Sequence, residues 1–144
     1  MSARRAPGVL DSFNYAFEGI IHVLRTQRNM RIHFAIAFVV LVVALIVNVT
    51  KLELIALLIS ITFVLIAEML NSAVEGAIDI ATTSFDPMAK LAKDVAAGAV
   101  LIASTNAVAV GYLVFAGKVA DRSAHLLGYD HGEEMEAREE ALLG

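Results

Sequence analysis

The sequence predicts an all-α integral membrane protein: an amphipathic amino-terminal helix on the membrane surface, then three transmembrane helices. Of its 144 residues, 58% are hydrophobic and 18% charged, with mean hydropathy +0.72. Ordinary globular domains carry about 45–50% apolar residues. Long apolar runs recur along the chain, and the charged residues gather between them. The length allows one compact bundle. A net charge of −4 offers no basic surface to nucleic acid, and the absence of cysteine excludes disulfides and thiolate metal sites.

Over about 9–31, Leu10, Phe13, Phe17, Ile20, Ile21 and Leu24 recur at three- and four-residue steps, the pattern of a helix with one apolar face. Asp11 or Ser12 suits its start and Pro7 the preceding turn. It is expected to lie on the membrane, apolar side down, or packed on the bundle. No cleavable signal peptide is expected, because the basic start is not followed by a continuous apolar run.

The first span is expected over 33–49 (HFAIAFVVLVVALIVNV). At about 1.5 Å per residue it is short but adequate for a hydrocarbon core near 30 Å. A polar turn follows over 48–53, and the second span runs over about 54–80. The connection ATTSFDPMAK carries Pro87 as a breaker, the third span covers 94–116, and a polar tail follows. Residues 1–117 thus form a membrane domain and 118–144 a tail.

Arginine and lysine placement predicts the orientation. Arg4, Arg5, Arg25, Arg28 and Arg31 precede the first span, and Lys90 and Lys93 lie in the second connection, with only Lys51 in the first. The positive-inside rule puts the amino terminus and the 81–93 loop in the cytoplasm and the tail outside. The protein is therefore expected to be multi-pass in the cell (inner) membrane.

The second span ends in EMLNSAVEGAID. At about 100° per residue, Glu68, Asn71, Glu75 and Asp79 fall within an arc of roughly 80° and form one acidic face. Unpaired carboxylates at membrane depth cost on the order of several kcal/mol each, which argues for function over interhelical bonding alone. Such a row at the cytoplasmic end suits Mg²⁺, a hard cation that takes oxygen ligands, keeps several waters and commonly also holds nucleotide phosphates. Lys93 and Asp94 would face the same pocket. A carboxylate free of metal would take a proton from an alcohol, giving phosphoryl transfer to a lipid hydroxyl. The nearest match to a P-loop, Gly111 to Lys118, has the wrong spacing and lies in an apolar span. The alternatives are a carboxylate-lined cation pathway and a catalytically impaired scaffold. Asn106 is expected to bond between helices, Ser104 and Thr105 to bond backbone or neighbours, and Gly76 and Gly98 to permit close helix approach. His22 and His33 are read as boundary residues and Arg25, Arg28 and Arg31 as headgroup anchors, with a contribution to site geometry as the alternative for Arg31.

The segment AEMLNSAVEGAIDIATTSFDPMAKLAKDVAAGAVLIA closely resembles the bacterial membrane-integral diacylglycerol kinase and undecaprenol kinase family. Its signature is E-x-x-N-[ST]-A-[IV]-E-x-x-x-D followed by A-K-D. Upstream, RTQRNMRIHF resembles a second motif in the form found in the undecaprenol-kinase branch. The resemblance covers about 12–116. It implies a homotrimer with active sites shared between subunits, ATP as co-substrate, Mg²⁺ as cofactor and a membrane lipid as acceptor. By the same resemblance, Glu68 is the general base and Glu75 a ligand of the metal–ATP complex. Asn71 and Asp79 line the pocket, Lys93 and Asp94 meet ATP phosphate and sugar, and Tyr15 lies near the nucleotide.

Two positions depart from the family pattern. Gln27 stands where the family carries a second metal-binding glutamate; it keeps an oxygen ligand but loses the charge. Phe85-Asp86-Pro87 stands where a Tyr/Phe-His-Pro element is usual, and a negative Asp86 near a polyphosphate is unfavourable unless it points away. The tail, AHLLGYDHGEEMEAREEALLG, is similar to the carboxy-terminal end of the zinc-dependent rRNA-maturation endoribonuclease family. His125 and His131 match two of its histidines, and Asp121 stands where the first should be. The rest of that fold is absent, so the tail is expected to be a non-functional fusion remnant.

Overall fold

The computed structural model of the chain describes residues 8–126 and 141–142, apart from the side chains of Asp121, His125 and Leu126. Among these residues the chain forms four long helices: α1 (Val9–Thr26), α2 (Arg28–Ile46), α3 (Lys51–Ala81) and α4 (Pro87–Leu126). The last three are each long and apolar enough to cross a membrane. α3 is the hub. α4 packs along it, α2 packs on it more lightly, and α1 lies against α2 and α3.

Little apolar surface is buried. The buried hydrophobic residues are Met30, Ala37, Ala44, Leu57, Val64 and Val114, whereas Phe38, Leu45, Phe63, Leu101 and Val108 face outward. Such a surface suits hydrocarbon as its solvent. Met30, Ala37 and Ala44 recur every seven residues and make a single seam.

Local signals set the turns. At the end of α2, Val49 N–H donates to Ala44 O at 3.2 Å and Asn48 N–H to Leu45 O at 3.3 Å. This is a Schellman closure, and it requires the left-handed φ of 56° at Asn48, a residue that tolerates it. Val49 then packs on the cluster of Ala44, Leu57 and Val114. Thr50 caps α3. Its Oγ1 accepts from Glu53 N–H at 3.4 Å, while Glu53 Oε2 accepts from Thr50 N–H at 2.6 Å. Glu53 also meets Lys118 Nζ at 3.1 Å and so ties the start of α3 to the far part of α4.

Several boundaries differ from expectation. The first helix does not run to about residue 31. It stops at Gln27, whose extended backbone (φ −96°, ψ 118°) separates α1 from α2. The amphipathic pattern continues across this break, which is why periodicity missed it. α1 begins at Val9, with Asp11 reaching back to accept from Gly8 N–H at 2.9 Å. Pro87 does not break a helix but begins one: at the first helical position its missing N–H is no loss. α4 continues through 118–126, past the expected start of the tail. Gly76 and Gly98 lie in no close approach within the chain, since a Cβ at either would meet open space. His131 and the side chains of Asp121 and His125, the residues matched in the tail, lie outside the described residues.

Asp86 is turned into the helix it starts. Its Oδ1 accepts from Met88 N–H at 2.7 Å and Ala89 N–H at 3.3 Å. Replacing Asp86 with Ala removes this cap and should cost about 1 kcal/mol of stability. Asp86→Asn should lose much less. Unfolding titrations in mixed micelles measure both, and an unchanged midpoint for Asp86→Ala would refute the capping role.

Candidate functional site

The acidic face forms on α3 as its spacing requires, and burial falls off along it. Glu68 is 2% exposed and Asn71 7%, Glu75 is half-buried and Asp79 is exposed. The helix of 31 residues is about 46 Å long, more than a hydrocarbon core needs. Burial is therefore graded along one polar face.

Hydrogen bonds divide the row in two. Asn71 Nδ2 donates to Glu75 Oε1 at 3.0 Å, one turn further on. Asn71 Oδ1 is buried and has no partner. Ser72 Oγ donates to the Glu68 backbone oxygen at 2.9 Å, leaving the Glu68 carboxylate outside these bonds. The fields of His33 and Glu75 reach that carboxylate.

Asp79 and Lys93 are brought together across the 82–86 loop: Lys93 Nζ donates to Asp79 Oδ1. Asp94 turns elsewhere, accepting from Lys90 Nζ at 2.6 Å within α4. Lys90 had not been singled out from the sequence, although its place one turn before Asp94 was the signal for it. These pairs are largely solvent-exposed, and pairs of that kind contribute about 0–1 kcal/mol. Either lysine can thus exchange its carboxylate for another anion at little cost.

Tyr15 is exposed on α1. Gln27 is half-buried at the α1–α2 break. Continuing the α2 seam back one turn from Met30 puts Gln27 near the level of Glu75. Among the described residues no three of His, Cys, Asp and Glu gather closely enough to cage a metal. Mg²⁺ does not require such a cage, since one or two carboxylates plus substrate phosphates commonly suffice. Glu75, the free oxygen of Asn71 and the amide of Gln27 are oxygen donors of the right chemistry.

Two interior polar groups depart from expectation. Asn106 makes no bond between helices; it is exposed along a groove between α3 and α4. That groove, about 1030 Å³, is walled by Phe63, Leu70, Leu91, Ile102 and other apolar side chains, with Asn71 and Asn106 as its polar members. Thr105 does bond backbone, to Leu101 O at 2.8 Å, but Ser104 Oγ is buried without a partner. The region resembling a P-loop, Gly111 to Lys118, is continuous helix and forms no phosphate-cradling loop.

Comparison with known proteins places these features in a family. Residues 14–115 match the family described as prokaryotic diacylglycerol kinase. A protein named diacylglycerol kinase from Synechocystis sp. is 40% identical over 107 residues, covering 74% of this chain and 61% of the relative. The chain thus spans less than two thirds of that relative's length. A protein named undecaprenol kinase from Bacillus subtilis is 36% identical over 108 residues, covering 75% of this chain and 88% of the relative. The matched region contains Tyr15, Gln27, the whole acidic row and the Lys93-Asp94 pair, and the chain belongs to the prokaryotic diacylglycerol kinase family.

Proposed function

We propose that this protein transfers the γ-phosphate of MgATP to the hydroxyl of a membrane lipid, either undecaprenol or diacylglycerol, at the cytoplasmic face of the cell membrane. The observation that carries the proposal is the graded row on α3: a carboxylate buried at membrane depth, followed by an Asn71–Glu75 pair and the exposed Asp79–Lys93 pair. Family membership supports the same reaction.

Each end of the row has its own task. Glu68 sits deepest, where a lipid hydroxyl can meet it and water is scarce, and acts as the general base. It takes the hydroxyl proton as the lipid oxygen bonds to the γ-phosphorus. The bond from that phosphorus to the bridging oxygen breaks, and ADP leaves with the electron pair. Asn71 orients Glu75 and presents its free oxygen to the same space. Lys93 gives up Asp79 for a phosphate oxygen, and Asp94 and Tyr15 take the sugar and base side of the nucleotide. Glu75, with Gln27, would hold Mg²⁺, which when bound neutralises polyphosphate charge. Positioning and neutralisation supply most of the catalysis in such transfers.

The orientation proposed from arginine and lysine placement puts this end of α3 in the cytoplasm, where ATP is. α1 then lies along the inner leaflet with Phe13 and Phe17 toward lipid. A homotrimer would complete the pocket, consistent with the few buried residues in one chain. The tail is proposed to be dispensable. The deep placement of the acids at one end of the bilayer, with none continuing along α2, favours a reaction site over a cation pathway.

The purified protein should transfer ³²P from γ-labelled MgATP to undecaprenol or diacylglycerol in detergent micelles. An acceptor-competition assay identifies the lipid, and no labelled lipid with either acceptor would overturn the proposal. Glu68→Gln should lower kcat on the order of 10²–10⁴-fold while leaving the fold intact, because it removes the base with little change in volume. Retained turnover would remove Glu68 from that role. Gln27→Glu restores a charged ligand and should reduce the Mg²⁺ concentration for half-maximal rate by roughly tenfold. An unchanged magnesium titration would separate Gln27 from the metal.

A further inference from the structure

The turns fix how the spanning helices face one another, and this alignment places three polar groups in one layer. α2 and α3 run antiparallel from the closure at 47–50. Ala44 packs with Leu57, Ala37 and Val64 stand together one heptad deeper, and Met30 and Asn71 are the next buried pair. In this register His33 faces Glu68. α3 and α4 are aligned by an ion pair at each end, Glu53–Lys118 and Asp79–Lys93, which brings Ser104 to the level of Glu68. His33 and Ser104 both line a cavity of about 290 Å³ between α2, α3 and α4, and His33 stands at the end nearer Glu68.

We infer that His33 is a positioning residue for Glu68, set across the α2–α3 interface to orient the base and stabilise its charge. The observations are the shared level of His33, Glu68 and Ser104, the burial of Glu68, and the lack of a partner for Ser104 Oγ. His33 acts through space and the polar layer, not by a direct hydrogen bond. Among the described residues the ionisable groups near Glu68 are His33 from α2 and Glu75 from its own helix, and Ser104 of α4 lines the same cavity as His33. Of these, His33 alone brings an imidazole N–H dipole toward the carboxylate across the α2–α3 interface, in surroundings where weak screening makes a single polar group matter. The inference rests on the lipid-kinase reading, in which Glu68 is the base.

Two measurements test it. In the full-length protein, His33→Phe keeps the volume and removes the polar nitrogens. It should lower kcat on the order of tenfold to a hundredfold with KM for MgATP unchanged, and His33→Gln should restore part of the loss. A merely structural histidine would leave kcat unchanged in both variants, and that result overturns the inference. Independently of turnover, the imidazole ¹⁵N resonances of His33 should shift between the wild-type protein and Glu68→Gln. Identical resonances would show that the two groups do not communicate. A wild-type protein that shows this coupling but labels no lipid would overturn the kinase reading and leave the pairing standing.

Discussion

A carboxylate inside a membrane-spanning helix is the constraint from which the rest of the architecture follows. In hydrocarbon an unpaired carboxylate costs several kcal/mol, and Glu68 is almost wholly buried in a helix otherwise rich in leucine and isoleucine. The arrangement is tolerable because α3 is sheltered at that level by α2 and α4, not by lipid. It is also graded: each step from Glu68 through Asn71 and Glu75 to Asp79 is less buried. The cost is thus concentrated at one residue and falls away along the row toward Asp79.

Shelter of this kind needs a fixed register, and the short connections supply it. The Schellman closure at Asn48, through backbone hydrogen bonds, and the Thr50–Glu53 box, through side-chain oxygens that accept from backbone N–H, lock the α2–α3 turn. Asp86 and Pro87 start α4 at a defined residue, so the Asp79–Lys93 pair can form across a five-residue loop. At the opposite end Lys118 meets Glu53. Small apolar contacts such as Ala44 with Leu57 then suffice to hold the seam, since the ends already determine which residues face each other.

How much of this was legible in the sequence depends on whether the signal was periodic, local or tertiary. The three spans and the acidic face were legible because an apolar run and an i, i+3, i+4 spacing need no partner to be recognised. The end of α1 was not, since Arg28 and Arg31 continue the amphipathic pattern across the break at Gln27. Asp86 illustrates a local signal: an Asp-Pro pair before a helix reads as a cap followed by a first-turn proline, and its carboxylate accepts from the first N–H groups of α4. Gly76, Gly98 and Asn106 were assigned interhelical contacts that the chain does not make, because the faces of α3 and α4 that meet cannot be told from residue type alone. His33 is the same problem in reverse. Its position at a span boundary was visible, but its alignment with Glu68 exists only once two turns have set the register.

The two ends of the site differ in how readily their partners can be exchanged, and this suits a reaction between a soluble and a membrane-bound reactant. At the wet end Lys90 and Lys93 are each neutralised by an exposed carboxylate, an interaction of the order of 1 kcal/mol or less that a phosphate oxygen can replace. At the deep end Glu68 has no lysine or arginine to release, and its surroundings are fixed by helix packing. A nucleotide would therefore be admitted by swapping surface ion pairs with little rearrangement of the bundle. Glu68, by contrast, would meet a lipid hydroxyl under the proposed reaction in a setting that helix packing has already organised. Preorganisation at the deep end and exchange at the wet end thus follow from the same graded helix.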